Sequence, residues 1–164
     1  MKRMMLMAAA IALILCACGK QSVGSSTTPA AVSGGYTVIY NGVKLSVGMP
    51  AEEALGKLGA ADDKITSESC AFGGSDTVYY YGTGVQVSTN DELGYERIFS
   101  IYLSDDLVST EEGVCVGNTV EQVKAAYGEP GSKSTGNSLA YEKDGMTLTF
   151  FVKDGTVTSI RYDA

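Results

Sequence analysis

Two stretches of the chain share one arrangement of apolar and polar positions. Val47-Gly48-Met49-Pro50-Ala51-Glu52-Glu53-Ala54 runs on to Leu58-Gly59, and 69 residues later Val116-Gly117-Asn118-Thr119-Val120-Glu121-Gln122-Val123 runs on to Tyr127-Gly128. Ala51, Ala54, Leu55 and Leu58 fall at the i, i+3, i+4, i+7 positions of one helix face, as do Val120, Val123 and Tyr127. Each segment predicts a short helix. Thr119 and Gln122 form a capping box, Pro50 suits a first helical position, and Gly59 and Gly128 suit a left-handed stop.

After each predicted helix the apolar period shortens to two, the signature of strands. Residues 78–81, 85–89 and 98–103 form the first set, and 138–141, 146–152 and 157–162 the second. Gly82-Thr83-Gly84, Asp144-Gly145 and Asp154-Gly155 mark turns, and Ser100-Ile101 and Ser159-Ile160 occupy corresponding places in the two third strands. Residues 36–40 and 43–47 add a hairpin around Asn41-Gly42. The expected fold class is α+β: two tandem helix-plus-antiparallel-meander repeats, 36–110 and 111–164, forming one curved sheet with helices on one face.

The second unit carries Gly117, Thr119, Val123, Gly128, Pro130, Tyr141, Leu148, Phe150, Val157 and Ile160 in the order of a known repeat. It resembles the repeat of the β-lactamase-inhibitor-protein-like fold and of the small outer-membrane assembly lipoproteins of the SmpA/OmlA type. The first unit departs from it, with Pro50 at the cap and a longer loop over 90–96. The resemblance implies two units joining their sheets into a concave surface that binds a protein partner. Its motif consists of packing and turn residues, so it speaks to fold more than to activity.

Strand alternation separates the two sheet faces. If the helices cover Tyr81, Val85, Val87, Phe99, Ile101, Tyr141, Leu148, Phe150 and Ile160, the other face carries Tyr80, Ser100, Tyr102, Ala140, Thr147, Thr149, Phe151, Ser159 and Arg161. Aromatic residues with Arg have the composition of an interface centre, although Tyr and Thr also favour strands for their own sake. Tyr80, Tyr102, Phe151 and Arg161 are the expected protein-binding patch.

The N-terminus carries a different pattern. Lys2 and Arg3 precede an uncharged apolar run from Met4 to Leu15, the layout of a secretory signal, too short to span hydrocarbon. Leu15-Cys16-Ala17-Cys18 resembles the lipobox of bacterial lipoproteins, which implies cleavage after Ala17 and a lipid anchor on Cys18. The expected domains are therefore a signal peptide, 1–17, and a Ser/Thr/Gly-rich tether, 18–35, before the repeats. Cleavage removes Lys2 and Arg3 but no acid, taking the net charge from −7 to −9. The expected location is the extracytoplasmic face of a bacterial cell membrane, and the expected partners are that membrane, through the lipid, and an envelope protein of unknown identity.

Composition narrows the chemistry. The chain of 164 residues has no His, which removes the commonest general base and most zinc sites. Its acidic balance disfavours nucleic acid. Asp62-Asp63, Asn90-Asp91-Glu92, Asp105-Asp106 and Glu111-Glu112 lack the spacing of a calcium loop, so no metal or cofactor is expected. Cys70 and Cys115, outside the cytoplasm, suit a disulfide closing a loop of about 45 residues, with reduced thiols as the alternative. The expected function is a lipid-anchored protein-binding or scaffolding module and not an enzyme. The alternatives are an enzyme or accessory factor acting on cell-wall material and a component of an outer-membrane assembly machine.

Overall fold

The computed structural model describes residues 34–164. The signal peptide, Cys18 and most of the tether lie outside the described residues. The elements in chain order are β1 (Val38–Tyr40), β2 (Val43–Leu45), α1 (Ala51–Leu58), β3 (Asp63–Glu68), β4 (Ser75–Tyr81), β5 (Val85–Asn90), β6 (Arg97–Leu103), α2 (Val120–Tyr127), β7 (Ser138–Lys143), β8 (Met146–Lys153) and β9 (Thr156–Asp163). The chain is α+β, with two helices and an antiparallel seven-stranded sheet in the order β3-β4-β5-β6-β9-β8-β7. β1 and β2 form a separate hairpin.

All six strands expected after the helices form. The Asn41-Gly42, Asp144-Gly145 and Asp154-Gly155 pairs have φ of 49° and 78°, 50° and 80°, and 52° and 77°. Positive φ at both central positions is what a two-residue hairpin turn requires, and Asn or Asp followed by Gly supplies it at least cost.

Cross-strand register places apolar side chains in two transverse rows on one face. One runs Tyr81, Val85, Leu103, Ile160, Phe150, Leu139; the next runs Tyr79, Val87, Ile101, Tyr162, Leu148, Tyr141. Nearly all belong to one buried cluster that also takes in Ala51, Ala54 and Val123 from the helices and Leu45 from β2. β6 and β9 meet over four residue pairs, with Tyr102 opposite Arg161.

The helices keep their expected apolar faces but differ at their ends. Thr119 and Gln122 make both bonds of the capping box, Gln122 N–H to Thr119 Oγ1 at 3.3 Å and Thr119 N–H to Gln122 Oε1 at 2.8 Å. Pro50 stands at the N-cap of α1, one residue before the first helical position, because its ψ of 132° is extended. Gly59 and Gly128 stop their helices at φ 84° and 82°, but with ψ of −164° and −159° they do not adopt the left-handed helical stop.

Four further expectations are corrected. Phe99 lies outside the core cluster: the register shifts between Ser88 and Thr89, Ile98 takes the buried position, and Phe99 packs half-buried against Phe72 with ring centroids 5.5 Å apart. Ala140 and Ser159 are buried although they alternate with core residues, and Gly131 N–H donates to the Ala140 carbonyl from the preceding loop. β3 was not anticipated from the pattern at all. Cys70 and Cys115 are both free. Cys70 lies in the β3–β4 connection and Cys115 beside the start of β9, three to four strands across the sheet. At the usual strand spacing that is roughly 14–19 Å laterally, far beyond the ~7 Å Cα limit for a disulfide.

Candidate functional site

The open face is organised by the same register. Its central row reads Asp63, Tyr80, Gln86, Tyr102, Arg161, Thr149, Ala140, one residue from each strand. The row beside it reads Ile65, Val78, Ser88, Ser100, Asp163, Thr147, Glu142. Three of the four expected patch residues adjoin. Tyr102 faces Arg161 across the β6–β9 seam, and the Arg161 guanidinium lies 5.3 Å from the centroid of the Phe151 ring. Tyr80 shares the row but stands two strands from Tyr102, with Gln86 between them.

Asp163 is the residue that sequence reasoning missed. Arg161 Nε–H donates to its Oδ2 at 2.6 Å and Ser100 Oγ–H to its Oδ1 at 2.9 Å. This carboxylate fixes the guanidinium over Phe151 and offsets its charge. Its position two residues after Arg161, on the same strand face, was the available signal. Tyr80, Tyr102 and Phe151 are half-buried and Arg161 is exposed, so the patch presents ring faces and one held cation to solvent.

The acidic pairs act as turn locks. Asp62 Oδ2 accepts from Gly82 N–H at 2.7 Å, Asp91 Oδ1 from Ser75 N–H at 2.6 Å, and Asp105 Oδ2 from Thr83 Oγ–H at 2.7 Å. Glu111 accepts from Thr37 Oγ–H at 2.6 Å, which with the nearby Lys44 ammonium holds its carboxyl below the usual range. Among the described residues no group of three or more His, Cys, Asp or Glu side chains could hold a metal ion, and no helix is long and apolar enough to cross a membrane.

On the helix side two tyrosines hold carboxylates. The Tyr127 hydroxyl donates to Glu112, and the Tyr79 hydroxyl reaches both oxygens of Glu96, at 3.0 and 2.9 Å. Burial, followed by the Glu96 bond and charge, pushes the Tyr79 phenol up to about 12. Burial first and then the Glu112 bond raise that of Tyr127 further.

No family model matches the chain, and no curated protein matches it. It is similar to one solved structure, an extracellular protein containing an SCP domain from Bacillus anthracis, at 13% identity and a TM-score of 0.43, over 90% of this chain and 50% of that one. The chain thus spans about half the length of the structure it matches.

Proposed function

We propose that this chain is a lipid-anchored, extracytoplasmic protein-binding module of the bacterial cell envelope, built from two tandem copies of a helix-plus-meander unit. The observation that carries the binding role is the contiguous Tyr102, Arg161 and Phe151 surface at the centre of the open sheet face. Large aromatic side chains beside a guanidinium held in place by Asp163 lose little freedom on contact, which favours them as anchors for another protein. An oriented Arg offers a carboxylate on that partner a forked donor.

Two pieces of geometry support the tandem reading. The Tyr81 hydroxyl donates to the carbonyl of Gly59, at 3.5 Å, and the Tyr141 hydroxyl to that of Gly128, at 3.1 Å, so each unit ties its helix-ending glycine to a strand in the same way. The third strands of the two units also pair with each other, uniting both meanders in one sheet. The anchor and location rest on the leader and on Leu15-Cys16-Ala17-Cys18.

The test is crosslinking of the full chain in its native membrane followed by mass spectrometry. The parent should capture one protein saturably, and a Tyr102→Ala, Arg161→Ala double variant should lose it while keeping its circular-dichroism spectrum. Equal capture by parent and variant removes the patch from the reading. Cys18→Ser should move the chain from the membrane to the aqueous fraction, and a variant that stays in the membrane overturns the anchor.

A further inference from the structure

A second concavity lies on the helix side of the sheet, away from Tyr102 and Arg161. Helix α1 has eight residues, roughly 12 Å of rise, and leaves the helix side of β3 uncovered. Lys64, Thr66 and Glu68, which share the face of Tyr79, are all exposed. A groove of about 480 Å³ lies there, a second of about 520 Å³ lies between α1 and the 94–96 loop, and Leu55 and Tyr79 line both. The outer side of β3 has no strand partner, so unpaired backbone runs along the same edge.

The lining is acidic. Glu52 and Glu96 stand in one groove and Asp62 in the other, against a single ammonium, Lys64, while Asp63 directs its side chain to the open face. Glu96 matters most. It is half-buried beside Tyr95, its carboxylate is held by the neutral Tyr79 hydroxyl, and among the described residues it forms no ion pair. A carboxylate partly withdrawn from water and given only a neutral donor keeps its attraction for a cation, and the Tyr79 and Tyr95 rings offer faces that attract one as well.

We propose that these two grooves bind an extended basic segment of a partner protein, which lies beside the β3 edge and places an Arg or Lys side chain at Glu96. Charge selects the occupant: three carboxylates to one ammonium disfavour an acidic or neutral chain. Length selects a polypeptide, because one small cation at Glu96 leaves most of that groove and the Asp62–Lys64 groove empty. The site lies across the sheet from the Tyr102–Arg161 patch and does not depend on it.

The probe is a blocked Val-Arg-Val-Arg-Val peptide titrated by calorimetry into the full chain in non-ionic detergent. Saturable binding is expected, weakened about tenfold by Glu96→Gln, which keeps an acceptor for Tyr79, and about threefold by Glu52→Gln on the exposed helix surface. Arg161→Ala should bind the peptide as the parent does, and a Val-Glu-Val-Glu-Val peptide should not bind. Three results overturn the proposal: no saturable binding of the Arg peptide, parental affinity in both glutamine variants, or argininamide alone matching the peptide, which would mark a small-cation pocket. Because Glu52 contributes nothing to the core, its variant keeps the test open should Glu96→Gln fold poorly.

Discussion

Tyr162→Phe should make the protein more stable, the reverse of what a core substitution usually does. Tyr162 is 1% exposed and lies in the buried row between Ile101 and Leu148, yet its hydroxyl finds no hydrogen-bond partner among the described residues. A buried hydroxyl left unpaired costs about 1–3 kcal/mol relative to water. Removing the oxygen leaves roughly 10 Å³ of void, worth about 0.3 kcal/mol at the usual cavity coefficient. The expected net gain is therefore about 1 kcal/mol or somewhat more at neutral pH, or about 3–5 °C in melting temperature for a chain of this size. The assay is urea unfolding followed by far-ultraviolet circular dichroism, with parent and variant fitted to the same slope. Alkaline pH sharpens it. Burial, and then the charges of Glu112 and Glu111, raise the Tyr162 phenol above its ordinary value. A group whose folded value exceeds its unfolded one contributes stability that is complete below about pH 10 and is lost as the pH rises beyond it. The parent should therefore weaken above pH 10 faster than the variant, so the gap between them widens. A variant less stable than the parent by 1 kcal/mol, or a gap that closes at high pH, would refute the argument, since either means the hydroxyl is well solvated or hydrogen-bonded in the folded state.

Three other outcomes follow from the packing. Ile101→Ala, fully buried where β6 meets β9, should cost about 3 kcal/mol: three lost carbons at roughly 0.8 each plus a cavity, measured in the same unfolding assay. Thr119→Ala should cost about 1 kcal/mol by removing the cap on α2, whereas Glu121→Gln beside it should leave the unfolding midpoint nearly unchanged. Cys70, exposed, should react with a thiol reagent in the folded protein, and the intact mass of the chain should not change on reduction; a gain of two hydrogens would restore the disulfide.

Much of the sheet was legible because its core strands obey a clean period of two. Val85, Val87, Ile101, Leu103, Leu148 and Phe150 are buried where alternation puts them. β3 was not legible: Asp63-Lys64-Ile65-Thr66-Ser67-Glu68 has one apolar residue and every side chain is exposed, so it is a strand only because β4 offers it backbone partners. Phe99 was misplaced for a related reason, since an extra residue opposite Ser88 and Thr89 slips the alternation by one and leaves no mark in the amino-acid pattern. The disulfide expectation failed because separation along the chain says nothing about separation across a sheet. In the open-face patch, alternation brought Tyr102 and Arg161 together correctly, but which strands are neighbours decides distance. The β6–β9 pairing sets Tyr102 opposite Arg161, the β8–β9 pairing brings Phe151 beside Arg161, and the β4–β5 and β5–β6 pairings put Gln86 between Tyr80 and Tyr102. The groove at Glu96 was invisible because it arises from a helix too short to roof two strands.

The β6–β9 seam also sets the tempo at which the molecule assembles. Every other pairing in the large sheet joins strands consecutive in the chain, whereas Tyr102 must find Arg161 across the intervening α2, β7 and β8. Local hairpins close within microseconds, but a loop of this length is entropically slower to close and has only four residue pairs to reward it. Substitutions along this line should therefore slow refolding, whereas those in the outer hairpins should chiefly hasten unfolding.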